Sequence, residues 1–176
     1  KLIPIAVEGF SGEVAGVLKF DLEVMGCKVV PFADAAFVVR GKADGSVVGA
    51  LTDKAGNPGF NRRYSGGNLR DQAHALSNDV IEALTGAPGI ASTRVIFKRK
   101  TGTRAEEVFL SDYDGHTPVA LTTDKTLVSA PRWSPDHSKV LYTTWLKRGG
   151  IENTTVIQQN MKTGEREVMA RYRGLN

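Results

Sequence analysis

Three side chains with the chemistry of a hydrolytic site stand within four residues of one another: Ser134, Asp136 and His137. In a catalytic triad a serine attacks, a histidine takes its proton and a carboxylate orients the histidine, and the three converge from separated segments. Here they share one tetrapeptide, and consecutive turn residues are expected to point apart. Because Pro135 sets the backbone at the second turn position and an aspartate bonds nearby N–H groups, the sequence predicts a structural turn and no catalytic residue.

Residues that could bind a metal are sparse or badly spaced. Asp112 and Asp114 could open a calcium loop, but no further carboxylates follow at the required spacing, so a turn ending at Gly115 is predicted instead. Cys27 is the single cysteine, which excludes an internal disulfide and a multi-cysteine zinc site. His74 lies beside the apolar stripe of a predicted helix and is interpreted as a flank residue. The sequence therefore predicts no cofactor and no metal ligand.

The composition is that of an ordinary globular chain. The 176 residues are 41% hydrophobic and 24% charged, with a net charge of +4. The positive residues are scattered, as at Arg62 and Arg63 and at 98–100, which is typical of a solvated surface rather than of a nucleic-acid groove. No run has the length of a membrane-spanning helix and no signal segment opens the chain. We therefore expect no direct membrane insertion, and either a cytosolic protein or a mature, trimmed chain.

The first half of the chain mixes helix and strand signals. Apolar residues at helical spacing predict one helix over 13–25 and a second over 68–84, capped by Asn68 and ended by Gly86. Short apolar runs between turn residues predict strands at 3–7, 27–30, 36–39, 46–52 and 59–65. The sum is a small α/β domain over residues 1–86.

The second half carries strand signals only, and they repeat. Val95 aligns with Val140 at an offset of 45 residues, 108–110 aligns with 155–157 at an offset of 47, and Gly115 aligns with Gly164 at an offset of 49. A period in the forties with four short antiparallel strands per unit is the signature of a β-propeller blade. The strands are predicted at 94–99, 107–112, 118–122, 130–134, 139–145, 154–160 and 166–172.

Turns separate these strands, and the Ser134-Pro135-Asp136 turn has a defined place in the blade. It joins the strand that contains Trp133 to the returning strand, so Trp133 is expected to pack between neighbouring blades, burying on the order of 150–250 Å² of ring surface. A further turn is predicted at the Gly-Gly pair, 149–150.

Residues 131–143, Pro-Arg-Trp-Ser-Pro-Asp-His-Ser-Lys-Val-Leu-Tyr-Thr, resemble the repeat of TolB-type propellers, in which a Trp-Ser-Pro-Asp-Gly turn joins two strands of each blade. Residues 111–115 are similar to an inter-strand turn of that family's first blade, and the order of α/β domain, helix, connector and strand also matches. His137 stands where the family pattern has glycine, and the segment between Val30 and Ala33 is shorter than usual. The predicted structural markers of the repeat are Trp133, Ser134, Pro135, Asp136, Asp112, Asp114 and Gly115.

The resemblance implies an α+β architecture that starts with a TolB-like α/β domain over 1–86. An incomplete β-propeller is expected over 94–176, with a partial first blade and one full blade, in an amino-terminal fragment of a longer protein. The alternative to a fragment is a chain whose exposed strand edges pair with another copy. The implied function is that of a non-enzymatic periplasmic scaffold of the Tol-Pal envelope system. It would bind the peptidoglycan-associated lipoprotein Pal and TolA, and maintain outer-membrane integrity and constriction during division.

Two alternatives remain open at this point. Propellers with Trp-Ser-Pro-Asp turns also precede the catalytic domain of prolyl-oligopeptidase-like hydrolases, although no Gly-x-Ser-x-Gly nucleophile elbow occurs in these residues. The α/β domain could also bind RNA, since the TolB amino-terminal fold resembles anticodon-binding domains, but that hypothesis depends on fold analogy alone.

Overall fold

In the computed structural model the backbone is described for residues 1–148 and 151–173, and side chains for residues 1–146 and 153–172. The chain divides into two compact units, Lys1–Thr93 and Arg94–Asn176, termed unit 1 and unit 2. The turn predicted at Gly149 and Gly150 lies outside the described residues.

Unit 1 is a five-stranded sheet with two helices. In chain order its elements are β1 (Ile3–Glu8), α1 (Gly12–Val24), β2 (Cys27–Val29), a 3₁₀ turn (Phe32–Asp34), β3 (Phe37–Ala43), β4 (Val47–Asp53), β5 (Pro58–Tyr64) and α2 (Leu69–Thr85). The strand order is β2-β1-β3-β4-β5, in which β1 runs parallel to both neighbours and β3, β4 and β5 form an antiparallel meander. The strand predicted at 36–39 continues to Ala43 because it pairs along its whole length with β4.

Both helices pack their apolar stripes against one face of this sheet. The cluster of buried side chains joins β1, β2, β3 and β4 to the inner faces of α1 and α2: Ile5, Val14, Val17, Leu18, Leu22, Cys27, Val39, Val47, Leu51, Ala73, Leu76, Val80 and Ile81. Helix α2 begins with a capping box, in which the Asp71 N–H donates to Asn68 Oδ1 at 2.8 Å and the Asn68 N–H donates to Asp71 Oδ2 at 3.1 Å. It ends at Gly86 in the left-handed conformation, as predicted.

The interpretation of His74 as a flank residue is wrong. Its side chain is 3% exposed, and its Nδ1 lies 2.8 Å from Oδ2 of the fully buried Asp21 on α1. The reason is that α2 packs against α1 as well as against the sheet, so a position beside the apolar stripe is also covered. A buried polar pair therefore links the two helices.

Backbones approach closely in the middle of the unit 1 sheet. A Cβ atom at Gly41, on β3, would overlap the carbonyl oxygen of Val48 and lie 2.6 Å from the Phe10 ring. Glycine at this position lets the backbones of β3 and β4 and the ring of Phe10, in the β1–α1 loop, approach closely.

Unit 2 consists of two antiparallel sheets in its described part. The first is β6 (Arg94–Gly102), β7 (Ala105–Asp112) and β8 (Val119–Ala120). The second is β9 (Val128–Trp133), β10 (Lys139–Arg148), β11 (Ile151–Asn160) and β12 (Arg166–Arg173), paired in chain order. All seven strands predicted for this half are present. The second sheet therefore has the four-stranded up-and-down arrangement expected of a blade.

The strand pairing confirms that β10 is the counterpart of β6 and corrects the offset of the strand that follows. Val95 pairs with Ser111, and its counterpart Val140 pairs with Gln159, so β7 and β11 are related by 48 residues and not by 47. A one-residue difference in a strand exchanges its two faces. The cause is the β10–β11 hairpin, which is three residues longer than the β6–β7 hairpin.

The two sheets of unit 2 stack by unlike faces. Val140 is fully buried between them, whereas its counterpart Val95 is 39% exposed on the outer side of the first sheet. The first sheet contributes the opposite face, with Ile96 and Val108, to the shared core. This is how successive blades pack in a propeller. The core between the sheets comprises Val108, Val128, Val140, Tyr142 and Ile157, with Ile96, Leu121, Trp133, Leu146 and Met161 against it.

Candidate functional site

The turn that follows β9 is built around the carboxylate of Asp136. Asp136 Oδ1 accepts a hydrogen bond from the Ser134 hydroxyl at 2.6 Å, and Oδ2 accepts one from the Ser138 hydroxyl at 2.7 Å. The expectation that consecutive turn residues point apart is therefore wrong for Ser134 and Asp136. These donors lower the pKa of Asp136 to about 2. The Lys139 N–H donates to Ser134 Oγ at 3.0 Å, which closes the turn onto β10.

The third residue of the apparent triad contacts a tryptophan and not the serine hydroxyl. His137 has a φ of +56° and packs its ring edge-on against Trp133, with 6.1 Å between the ring centroids. Histidine therefore occupies the left-handed position that glycine fills in the resembled repeat. Among the described residues the Ser134 hydroxyl bonds to Asp136 and to the main chain of Lys139, and not to a histidine. The geometry of a nucleophile beside its base is not formed.

The turn between β7 and β8 likewise closes on itself. The His116 N–H donates to Asp114 Oδ1 at 3.0 Å, and the Gly115 N–H donates to the Asp112 carbonyl at 2.9 Å, with Gly115 at φ +83°. Across the described parts of the chain, no three His, Cys, Asp or Glu side chains meet in a group that could hold a metal ion.

A polar junction that the sequence analysis missed connects the two sheets of unit 2. Glu107, only 4% exposed on β7, accepts hydrogen bonds from the Lys125 N–H at 2.7 Å, the Asp124 N–H at 3.2 Å and the Thr122 hydroxyl. The Asp124 carboxylate in turn accepts two hydrogen bonds from Arg166 Nη1 on β12, each at 2.9 Å. The one signal in the sequence is a charged residue within the apolar strand 107–112, but its partners lie too far along the chain to be identified by spacing.

Beside this junction is a cleft of about 380 Å³. Its walls come from the β6–β7 hairpin, the β8–β9 connection and the far end of β10. We term it the Trp145 cleft, defined by Arg104, Asp124, Lys125, Thr126, Leu127, Trp145 and Leu146. No pattern in the sequence indicates this cleft, because its residues become neighbours only when the two sheets stack.

The comparisons with known proteins agree with this architecture. The family model of the TolB beta propeller domain matches residues 81–176, more than half of the chain. The chain belongs to the TolB β-propeller family. The Tol-Pal system protein TolB of Nitrosomonas europaea is 36% identical over 118 residues, covering 67% of this chain and 27% of that protein. TolB of a Marinomonas species is 35% identical over 112 residues, covering 62% of this chain and 25% of that protein.

A solved TolB-family structure shares the fold of the whole chain. The crystal structure of TolB from Acinetobacter baumannii superposes with a TM-score of 0.82 at 24% identity, covering 100% of this chain and 51% of that one. The chain thus spans about half the length of this TolB structure and about a quarter of the curated TolB relatives. None of the helices among the described residues combines the length and the apolar character that crossing a membrane requires.

Proposed function

We propose that this chain is part of a non-enzymatic, periplasmic protein-binding scaffold of the Tol-Pal envelope system. The observation that carries the proposal is the match of residues 81–176 to the TolB propeller domain. The stacking of two sheets by unlike faces in unit 2 supports it, because that packing serves a ring of blades. The Ser134–His137 turn supports it as well, because among the described residues the Ser134 hydroxyl bonds to Asp136 and Lys139 and not to a histidine.

In this proposal the two parts of the chain have separate roles. Residues 1–86 form the TolB-like amino-terminal domain, and residues 94–176 supply a partial first blade and one full blade. The residues at the two turns act as structural markers of the repeat. Most of them bond within their own turns, the Trp133 ring packs against the blade core, and Pro135 sets the backbone of its turn. These markers are Trp133, Ser134, Pro135, Asp136, Asp112, Asp114 and Gly115.

The proposed partners are the lipoprotein Pal, through the propeller, and TolA, through the amino-terminal region. The complete gene product that contains this chain is to be titrated with Pal and with TolA from the same organism by isothermal calorimetry. We expect saturable binding of both. A complete gene product that is folded but binds neither protein would contradict the proposal.

A hydrolase with a propeller domain makes a different prediction that the gene itself tests. Reading the coding sequence beyond Asn176 is expected to show further four-stranded repeats and then a stop codon. A Gly-x-Ser-x-Gly elbow downstream, with hydrolysis of a proline-containing peptide by the complete product, would replace the scaffold by a prolyl-oligopeptidase-like enzyme.

A further inference from the structure

We propose that the Trp145 cleft is a docking site for an acidic segment of a partner protein, in which carboxylates flank an aromatic side chain. The inference deepens the proposed function and rests on it, since a scaffold acts through such surfaces. It names a particular pocket and the chemistry of the segment that fills it.

The cleft offers apolar surface of the kind that anchors a peptide. The Trp145 ring is half-buried, Leu127 is 37% exposed beside it, and Leu146 completes the wall. Tryptophan set in a pocket is a typical centre of binding energy in protein interfaces. A volume of about 380 Å³ is at the small end of the range for ligand pockets. It therefore suits one or two side chains of an extended segment rather than a protruding domain.

The charges around this apolar surface select an acidic occupant. Arg104 and Lys125 are both exposed at the rim, and among the described residues neither side chain has a hydrogen-bond or ion-pair partner. The third charged residue, Asp124, is already held by two hydrogen bonds from Arg166. The two cations are therefore left to pair with carboxylates, and an arginine can bind a carboxylate through two hydrogen bonds at once.

The walls are fixed before any partner arrives. The Leu127 carbonyl accepts hydrogen bonds from the Trp145 N–H at 3.3 Å and the Thr144 hydroxyl at 3.2 Å, which ties the β8–β9 connection to β10. Buried Glu107 holds the N–H groups of Asp124 and Lys125, with Lys125 at a φ of +54°. A pre-organised site lowers the ordering cost of binding.

The test uses the 176-residue chain and the blocked peptide acetyl-Asp-Glu-Phe-Glu-Asp-amide. The chain contains two tryptophans, so a ¹H–¹⁵N spectrum carries two indole N–H peaks, which Trp133→Phe assigns. We expect saturable movement of the Trp145 peak with a nearly stationary Trp133 peak. The matched peptides acetyl-Lys-Lys-Phe-Lys-Lys-amide and acetyl-Asp-Glu-Ala-Glu-Asp-amide are expected to bind at least tenfold more weakly.

Charge reversal locates the interaction. Arg104→Glu and Lys125→Glu are each expected to weaken binding of the acidic peptide at least tenfold. Lys162→Glu makes the same change of charge in the turn after β11, at the opposite end of the β10–β11 hairpin, and is expected to leave binding unchanged. An unchanged Trp133 peak in each variant shows that unit 2 remains folded.

Three results would overturn the inference: a Trp145 peak that the acidic peptide does not move, equal movement by the basic peptide, or equal weakening by Lys162→Glu. Tighter binding of a single-stranded oligonucleotide than of the peptide would also overturn it, in favour of a nucleic-acid site. Failure of the proposed function gives a different pattern. If Pal and TolA bind but the peptide does not move the Trp145 peak, only the proposed docking site in the Trp145 cleft is contradicted. If the peptide moves the Trp145 peak but neither Pal nor TolA binds, only the proposed Tol-Pal function is contradicted.

Discussion

At the scale of single residues, Tyr142 combines good packing with an unsatisfied polar group. Its ring lies in the core between the two sheets of unit 2, and its hydroxyl is buried without a hydrogen-bond partner among the described residues. The same burial raises the pKa of Tyr142 to about 12. A buried hydroxyl that makes no hydrogen bond costs about 1–3 kcal/mol.

Tyr142→Phe is therefore expected to leave the free energy of unfolding unchanged or to raise it by up to about 1–2 kcal/mol, because it removes the hydroxyl and keeps the ring. Urea unfolding followed by tryptophan fluorescence measures the change. Tyr142→Leu serves as the control for lost ring packing and is expected to be destabilising. A clear loss of stability in Tyr142→Phe would reveal a partner for the hydroxyl.

Asp136 gives a prediction in the acid range. Its pKa in the folded chain is about 2, below its ordinary value near 4, so its carboxylate stabilises the turn above pH 4 and this contribution is lost as the pH falls from 4 towards 2. We expect Asp136→Asn to be less stable than the unsubstituted chain at pH 7. The difference is expected to shrink between pH 4 and pH 2.5, as measured by thermal unfolding. A difference that does not depend on pH would assign the effect to packing alone.

The sequence was sufficient to predict the turns but not their side-chain bonding. Proline and aspartate in a short polar stretch identify a turn by local rules, which act over a few residues. Whether the Ser134 hydroxyl reaches Asp136 depends on rotamers that the residue types leave open. The Glu107–Asp124–Arg166 junction depends on the stacking of two sheets, so no local pattern predicts it.

At the scale of elements, two glycines in unit 1 have opposite expected responses to the same change. Gly41→Ala places a Cβ against the Val48 carbonyl and the Phe10 ring, so we expect the free energy of unfolding to fall by about 1–3 kcal/mol or more. Gly16 lies on the exposed side of α1 with open space around it. Gly16→Ala is therefore expected to raise the free energy of unfolding by up to about 1 kcal/mol, because alanine has the higher helix propensity. Urea unfolding monitored by circular dichroism tests both. A Gly41→Ala variant as stable as the unsubstituted chain would contradict the close approach of β3 and β4.

The elements themselves were largely predictable, and the errors have physical causes. Alternating or continuous apolar runs bounded by turn residues located every strand among the described residues of the two units. The offset between β7 and β11 was wrong by one residue because a hairpin can lengthen without changing the pattern of the strands it joins. The burial of His74 was missed because a single apolar stripe does not reveal that a helix packs against two neighbours.

At the scale of the whole molecule, the two units carry separate intrinsic probes. Cys27 is the single cysteine and is buried in unit 1, and both tryptophans are in unit 2. Burial raises the pKa of the Cys27 thiol, which further slows its reaction with disulfide reagents. The core of unit 1 is a larger cluster than the described core of unit 2. Unit 2 also leaves Val168, Met169 and Tyr172 about half-exposed on β12.

We therefore expect unit 2 to unfold first. Tryptophan fluorescence should change at a lower urea concentration than the one at which Cys27 becomes reactive towards Ellman's reagent. Coincident midpoints would show that the two units unfold as one. Cys27→Ala provides the control for the thiol signal, and its fluorescence transition is expected to remain in place.

The stacking of unlike faces also determines how copies of this chain can associate. The outer faces of the two sheets of unit 2, one with Val95 and the other with Leu141, are the counterparts of the two faces that meet inside the unit. The outer face of one sheet is therefore complementary to the outer face of the other sheet, and neither face is complementary to a second copy of itself. Copies that join through them add head to tail by a repeated rotation, and growth stops only when a ring closes. Self-association by this route gives a closed ring or an open-ended chain of copies, and not a two-fold symmetric dimer.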